Sequence, residues 1–119
     1  MAGSERRKGT RFPAGDNVLA EIVGVRQAIT IVDIGPGGFC AATKDWLPYI
    51  PHPEVRFFTP DRKWSATFEI RMSFALLQPR KSGPYAGRYI TGFAFRDARN
   101  AKVKPKIQEL IGYATRVAA

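Results

Sequence analysis

Short stretches in which apolar and polar residues alternate run through most of this chain, separated by turns rich in glycine and proline. Alternation with a period of two is typical of β-strands that bury one face. A helical period appears only near the C-terminus, where one apolar face would contain Val103, Ile107, Leu110, Ile111 and Ala114. The pattern predicts a mainly β protein: a small antiparallel β-barrel of six or seven short strands, capped by one C-terminal helix.

The alternation also predicts where the strands lie. The expected strands cover residues 17–23, 28–32, 38–43, 55–58, 64–77 and 89–95, and the helix covers about 103–116. The long strand 64–77 is expected to bend. Gly92 is expected to mark a bend or bulge in the last strand, because glycine inside a strand often accompanies such a distortion.

The length and cysteine content limit what the fold can use for stability. A chain of 119 residues fits one domain that buries its own core. The single cysteine, Cys40, excludes an intramolecular disulfide and a cysteine-based zinc site, and its apolar neighbours predict a buried structural thiol. No apolar run approaches the roughly 18 residues of a membrane span, and none resembles a signal peptide. We therefore expect a cytoplasmic protein without a membrane span.

The charge of the chain predicts an anionic partner. The formal net charge is +9, and four basic residues against one acidic residue give residues 1–11 a net charge of +3. Residues 60–99 carry eight basic and three acidic residues, a net charge of +5. A nucleotide, a nucleic acid or an acidic surface would complement this charge.

An enzyme is not expected, because the chain lacks the usual catalytic groups. The only histidine, His52, lies between two prolines with no carboxylate or cysteine near it in sequence. The glycines around position 37 do not form a dinucleotide fingerprint, since Cys40 occupies the place of its third glycine, and no phosphate-binding loop is present. We predict no catalytic residue, no metal site and no cofactor.

Two stretches have the residue types needed to bind a nucleotide. Residues 1–11 are expected to form a flexible arm, and its arginines offer forked donors to phosphate or to guanine. The second stretch, residues 33–38, places the carboxylate of Asp33 before three glycines and a proline. Taken alone, the arm could be a solvated basic tail and residues 33–38 a simple β-turn. Together they could hold the phosphates and the base of a guanine nucleotide.

These two stretches resemble the motifs of the PilZ domain family. Residues 7–11, Arg-Lys-Gly-Thr-Arg, match the family's RxxxR motif, and residues 33–38 resemble its (D/N)xSxxG motif at two of three fixed positions. The spacing of about twenty residues, the late strand 89–95 and the closing helix also fit. The resemblance covers roughly residues 5–116 and implies a six-stranded split barrel, residues 12–119, that follows the arm.

The resemblance further implies a receptor for the bacterial second messenger cyclic di-GMP. Arg7 and Arg11 would hold phosphates and guanine edges, Asp33 would read a guanine, and Gly38 would allow close approach. Arg6 would stack on the ligand or contact a second ligand molecule. In the family, ligand binding orders the arm, so this chain would signal to an unidentified protein effector in motility, exopolysaccharide or biofilm control.

Position 35 departs from the motif, because Gly35 stands where the family has serine. The missing hydroxyl is worth about 0.5–1.5 kcal/mol, whereas an arginine contact is worth about 1–3 kcal/mol. The departure therefore weakens the ligand prediction without removing it. The alternative is an adaptor of the same fold that has lost nucleotide binding and acts through protein contacts only.

A third hypothesis is a basic barrel that binds single-stranded nucleic acid. Its stacking surface would consist of Trp46, Phe57, Phe58 and Trp64. Because these aromatic residues fit the alternation of strands, core packing is the better prediction for most of them, and nucleic acid is the less favoured partner.

Overall fold

The computed structural model of the chain describes residues 11–25 and 27–115. This part of the chain forms seven β-strands followed by one α-helix. In chain order they are β1 (Phe12–Pro13), β2 (Leu19–Ile22), β3 (Ala28–Gly35), β4 (Gly38–Thr43), β5 (Glu54–Phe58), β6 (Ser65–Ala75), β7 (Tyr89–Phe95) and α1 (Lys104–Ala114).

Six of the strands close into an antiparallel barrel. Around the barrel the order is β3, β2, β5, β6, β7 and β4, and β4 pairs back with β3. The short strand β1 is additional, and its Phe12 and Pro13 pair with Ile34 and Asp33 at the end of β3. The predicted barrel is confirmed, and β1 brings the end of the N-terminal arm beside the β3–β4 hairpin.

A cluster of phenylalanine rings fills the barrel. The rings point inward from β4, β5, β6 and β7, with centroids 5.1–6.4 Å apart, and belong to Phe39, Phe57, Phe68, Phe93 and Phe95. Burying one such side chain stabilises a fold by about 1.5–3 kcal/mol, more than a typical exposed ion pair. The phenylalanine cluster therefore contributes more to the stability of the barrel than an exposed ion pair on its outer face does.

Helix α1 packs its apolar face against the core. Of the five residues on the predicted apolar face, Ile107, Leu110 and Ala114 are buried, and the other two, Val103 and Ile111, are partly buried against the core. The backbone N–H of Gly15 donates to the carbonyl of Ala114 at 3.2 Å and so ties the helix end to the segment after β1. The helix is slightly shorter than the predicted range of 103–116, since Val103 is its N-cap and Thr115 its C-cap.

Strand β6 contains the expected bend as a bulge. Its register with β7 shifts between Met72 and Phe74, so Ser73 is the extra residue. Gly92 lies at this bulge, as expected, because Met72 pairs with Phe93 and the next pair joins Phe74 to Gly92. The extra residue is in β6, whereas β7 keeps an unbroken register with β4 through Gly92. Gly92 also makes room for a ring: a Cβ there would lie 2.2 Å from Cε1 of Phe74.

Candidate functional site

A cavity of about 630 Å³ lies on the outer face of the barrel, over β4 and β7. Arg11 and Asp33 line it on one side, Arg71 and Phe74 on the other, and Arg99 lies in the loop after β7. This volume is within the range of about 300–1,000 Å³ that is typical of small-molecule sites. Its charged residues include three arginines and two aspartates, so the cavity suits a ligand that carries both negative charge and hydrogen-bond donors.

A bulge in β3 turns Asp33 toward this cavity. The pairing of β3 with β4 shifts register between Ile31 and Asp33, so Val32 is the extra residue. Ile31 points into the core, and strict alternation from it would point Asp33 inward as well. The bulge reverses the alternation: Ile34 is fully buried, and the side chain of Asp33 is about one quarter exposed. Bulges often re-aim a side chain at a functional site.

Arg11 is anchored on Asp33. Its Nη1 donates to Oδ1 of Asp33 at 2.9 Å and approaches Sγ of Cys40 at 3.9 Å. Both side chains of the ion pair are about one quarter exposed. Arg11 directly precedes β1, whose pairing with the end of β3 brings the guanidinium to the carboxylate. The structure thus brings together two of the six site residues that the sequence predicts.

Cys40 differs from its prediction as a buried thiol. Its position in β4 pairs with Asp33, and its side chain faces outward beside Arg11 with partial exposure. Partial burial raises the pKa of the Cys40 thiol, and the negative charge of Asp33 raises it further against the lowering effect of Arg11. The thiol is therefore a weak nucleophile at neutral pH, because the thiolate is the reactive form.

The raised pKa of Cys40 predicts slow alkylation. Iodoacetamide at pH 8 should modify Cys40 in the folded protein more slowly than in urea, and the difference should shrink as the pH rises through the pKa of the folded thiol. The same shift stabilises the fold fully below the pKa of the unfolded thiol, and this contribution disappears as the pH rises. Mass spectrometry of quenched samples measures both rates. Equal rates at pH 8 would contradict the expected protection.

The predicted glycines lie in the β3–β4 hairpin. Gly35 ends β3 and pairs with Gly38, the first residue of β4, and Gly37 of the turn between them lines the cavity. At Gly38 a Cβ would lie 2.0 Å from the carbonyl oxygen of Phe93. The fold itself therefore requires glycine at position 38, and contact of Gly35 or Gly38 with a ligand stays a prediction.

The remaining predicted residues divide into two groups. Arg6 and Arg7 lie outside the described residues. The aromatic residues of the nucleic-acid hypothesis do not form one surface: Phe57 and Phe58 are buried, and Trp64 lies at 4.7 Å from Tyr113 of α1, ring centroid to ring centroid. This arrangement confirms core packing for the two phenylalanines and removes half of the proposed stacking surface.

The sequence patterns do not point to Arg71, Phe74 or Arg99. The alternation of Phe68, Ile70 and Met72 would continue inward to Phe74, and only the bulge at Ser73 turns that ring outward. Arg71 was one of many surface arginines, and nothing local connects it to the β3–β4 hairpin. An arginine at an outward position, close to an aromatic residue in one strand, was the available signal.

Residues 11–25 and 27–115 contain no group of three or more histidine, cysteine, aspartate or glutamate side chains placed to hold a metal ion. Among the same residues, no helix has the length and apolar character needed to cross a membrane.

Comparisons with known proteins give one informative result. No protein-family model matches the chain, and no curated protein sequence does. Among solved structures, the chain is similar to a structure described as the PilZ domain with c-di-GMP of YcgR from Escherichia coli. The match has a TM-score of 0.65 at 14% sequence identity and covers 92% of this chain and 91% of the other. At this identity the likeness establishes the fold.

Proposed function

The chain has the fold of a PilZ domain, and from this premise we propose that it is a non-catalytic receptor for cyclic di-GMP. The solved domain that it resembles is described as containing that nucleotide. The net charge of +9 suits a ligand with two phosphates. The cavity on the outer face of the barrel is large enough for a small molecule of this class.

The observation that carries the proposal is the ion pair between Arg11 and Asp33 at the cavity. These are the last arginine of the RxxxR stretch and the acidic residue of the glycine-rich stretch, 22 positions apart in sequence. An ion pair that served only the fold could join any two residues. Both residues of this pair belong to the stretches that predict a nucleotide site. Their joint position at a cavity is the arrangement that the receptor hypothesis needs.

The chemistry of the pair is suited to guanine and phosphate. The Asp33 carboxylate has two acceptor oxygens, and only Oδ1 receives Arg11, so Oδ2 can accept from the N–H groups of a guanine edge. The Arg11 guanidinium has five N–H donors, and its fork suits phosphate oxygens or guanine O6 and N7. The pair also holds Arg11 near the cavity before a ligand arrives, which lowers the entropic cost of binding.

A receptor rather than an enzyme is supported by the groups around the cavity. The one thiol there, Cys40, is a weak nucleophile because its pKa is raised. We propose that binding joins the N-terminal arm, including Arg6 and Arg7, to the barrel surface. The changed surface would then be recognised by a protein effector in the cytoplasm, with motility, exopolysaccharide synthesis or biofilm formation as the controlled process.

Isothermal titration calorimetry of cyclic di-GMP into the purified protein tests the proposal. GTP is the matched control ligand, because it carries guanine and phosphates without the cyclic dinucleotide. Saturable heat with cyclic di-GMP alone is the expected result, and the stoichiometry separates one bound nucleotide from a pair. A flat titration of a sample with a cooperative thermal transition would reject the receptor function and favour the adaptor.

Replacing Gly35 by serine tests the departure from the motif. The restored hydroxyl should strengthen cyclic di-GMP binding about threefold to tenfold, the value of one neutral hydrogen bond. Calorimetry of Gly35→Ser beside the unmodified protein measures the change, and Gly35→Ala is the control that adds carbon without a hydroxyl. Binding that appears only in Gly35→Ser would support the adaptor hypothesis. Equal or weaker binding in Gly35→Ser would show that the hydroxyl has no role here.

A further inference from the structure

We propose that Phe74 and Arg71 of β6 form a second nucleotide-binding wall of this cavity, opposite Arg11 and Asp33. Phe74 would stack on one base of the ligand, and Arg71 would bind a phosphate. The proposal rests on the proposed function, since it takes the ligand to be a cyclic dinucleotide. It assigns ligand contacts to residues outside the two sequence motifs.

Each of the two walls depends on a β-bulge. One bulge, at Val32, turns Asp33 outward, and a second bulge, at Ser73, turns Phe74 outward. Without these bulges, alternation from Ile31 and from Met72 would point both side chains into the core. Two independent distortions on either side of the β4–β7 pair thus present an acid and an aromatic ring on the same outer face.

Strand pairing places the two side chains in one row across the barrel. Asp33 pairs with Cys40, Cys40 pairs with Gly92, and Gly92 pairs with Phe74. Three strand spacings separate the ends of this row, a distance of about 14 Å along the surface. One base cannot contact both ends, whereas a ligand with two bases can.

The Phe74 ring packs against the sheet and remains partly exposed to solvent. It lies against Gly92, where a Cβ would be 2.2–2.8 Å from three of its ring carbons. Phe74 nevertheless remains 47% exposed and lines the cavity. Because the ring packs against Gly92 and keeps part of its surface exposed, it offers apolar area to a planar base. Base–aromatic stacking is a general means of binding nucleotides.

The neighbouring row brings Arg71 to the same side of the cavity as Phe74. Gly38 pairs with Ala94, and Ala94 pairs with Arg71, so two small residues lead to the arginine. Arg71 is exposed, lines the cavity, and forms no ion pair within residues 11–25 and 27–115. Arg11, in contrast, is already paired with Asp33. The unpaired charge of Arg71 is therefore available to a phosphate without the loss of an existing contact.

Calorimetry with cyclic di-GMP tests the second wall. The variants remove the ring of Phe74 or the charge of Arg71 and should leave the barrel folded. Phe74→Leu should weaken binding at least about fivefold, because the leucine covers Gly92 but has no planar face. Phe74→Tyr keeps the ring and should bind within about twofold of the unmodified protein. Arg71→Gln should weaken binding about tenfold. The controls are Leu77→Ser and Arg80→Gln, exposed changes beyond the cavity that should alter neither affinity nor thermal stability.

Gly92→Ala is a second route to the same result. The added methyl group would displace the Phe74 ring from its position against residue 92 without any substitution at position 74. Affinity should fall in the same direction as in Phe74→Leu, while a thermal transition shows that the barrel is folded.

The outcomes distinguish this inference from the proposed function. If the unmodified protein gives no heat with cyclic di-GMP, both are rejected. If it binds, and Phe74→Leu and Arg71→Gln bind within about twofold of it, the second wall is rejected and the receptor function stands. Weaker binding in Phe74→Leu that Phe74→Tyr does not restore would also reject stacking.

Discussion

Arg11→Ala should weaken cyclic di-GMP binding by about 100-fold, the largest effect on affinity that we expect from one described residue. The variant loses charge-assisted hydrogen bonds to the ligand, each worth about 1.5–3 kcal/mol, or about 10- to 150-fold in affinity. It also leaves Asp33 without the guanidinium that lies 2.9 Å away, so an uncompensated carboxylate would face the phosphates of the ligand. The second effect places the expected loss toward the upper end of that range.

The fold should tolerate this change. Both side chains of the Arg11–Asp33 pair are about one quarter exposed, so water can reach the Asp33 carboxylate, and the loss of stability should stay well below the roughly 3–5 kcal/mol of a fully buried pair. Arg56→Ala is the matched control, because Arg56 of β5 donates to Glu21 of β2 in an arginine–carboxylate pair that lies outside the cavity. Calorimetry should show normal affinity for Arg56→Ala and a large loss for Arg11→Ala, with similar thermal midpoints.

Affinity in Arg11→Ala within threefold of the unmodified protein would contradict the site, provided that the sample is folded. Arg11→Lys refines the interpretation, since lysine keeps the charge but loses the planar fork. An intermediate affinity would indicate that the geometry of the guanidinium contributes in addition to its charge.

Gly38→Ala should have the largest effect on stability. A Cβ at position 38 would lie 2.0 Å from the carbonyl oxygen of Phe93 and 3.0 Å from Cα of Ala94. These are backbone atoms of the paired strand, so no side-chain rotation can relieve the overlap, and β4 must move away from β7. We expect a loss of about 2–4 kcal/mol in the free energy of unfolding and a fall in the thermal midpoint of at least about 10 °C.

Gly112→Ala is the control for this substitution. Gly112 is exposed within α1, and a Cβ there would meet no atom within 4 Å. Alanine should therefore stabilise the protein by about 0.5–1 kcal/mol through its higher helix propensity. Urea unfolding of both variants measures the opposite signs. An unchanged midpoint in Gly38→Ala would show that β4 and β7 separate at little cost, and position 38 would then be free for a purely ligand-binding role.

Much of the fold could be predicted because its signals are local. Period-two alternation marks β4, β5 and β7 closely, and the helical period marks the buried residues Ile107, Leu110 and Ala114. Glycine and proline mark the turns, since they restrict or extend the allowed backbone angles whatever the rest of the chain does. The likeness to a PilZ domain was likewise visible in two short stretches and their spacing.

The candidate site could be predicted in part, for the same reason. Arg11 and Asp33 were identified from motif residues, and the structure brings them into contact at 2.9 Å. Gly38 was expected to allow close approach, and the atom that comes close is the backbone oxygen of Phe93. The need for glycine was readable from the sequence, whereas the neighbour that causes it lies in a strand more than fifty residues away.

By itself, then, the sequence determined the barrel class, the helix and one wall of the cavity. Only the tertiary structure decided which side chains face that cavity from elsewhere, because bulges arise from the pairing of distant strands. The bulge at Ser73 turned Phe74 outward, and the pairing of β7 with both β4 and β6 set Phe74 across from Asp33 and Arg71 across from Gly38. Alternation is a property of a single strand, but register and bulges are properties of a pair.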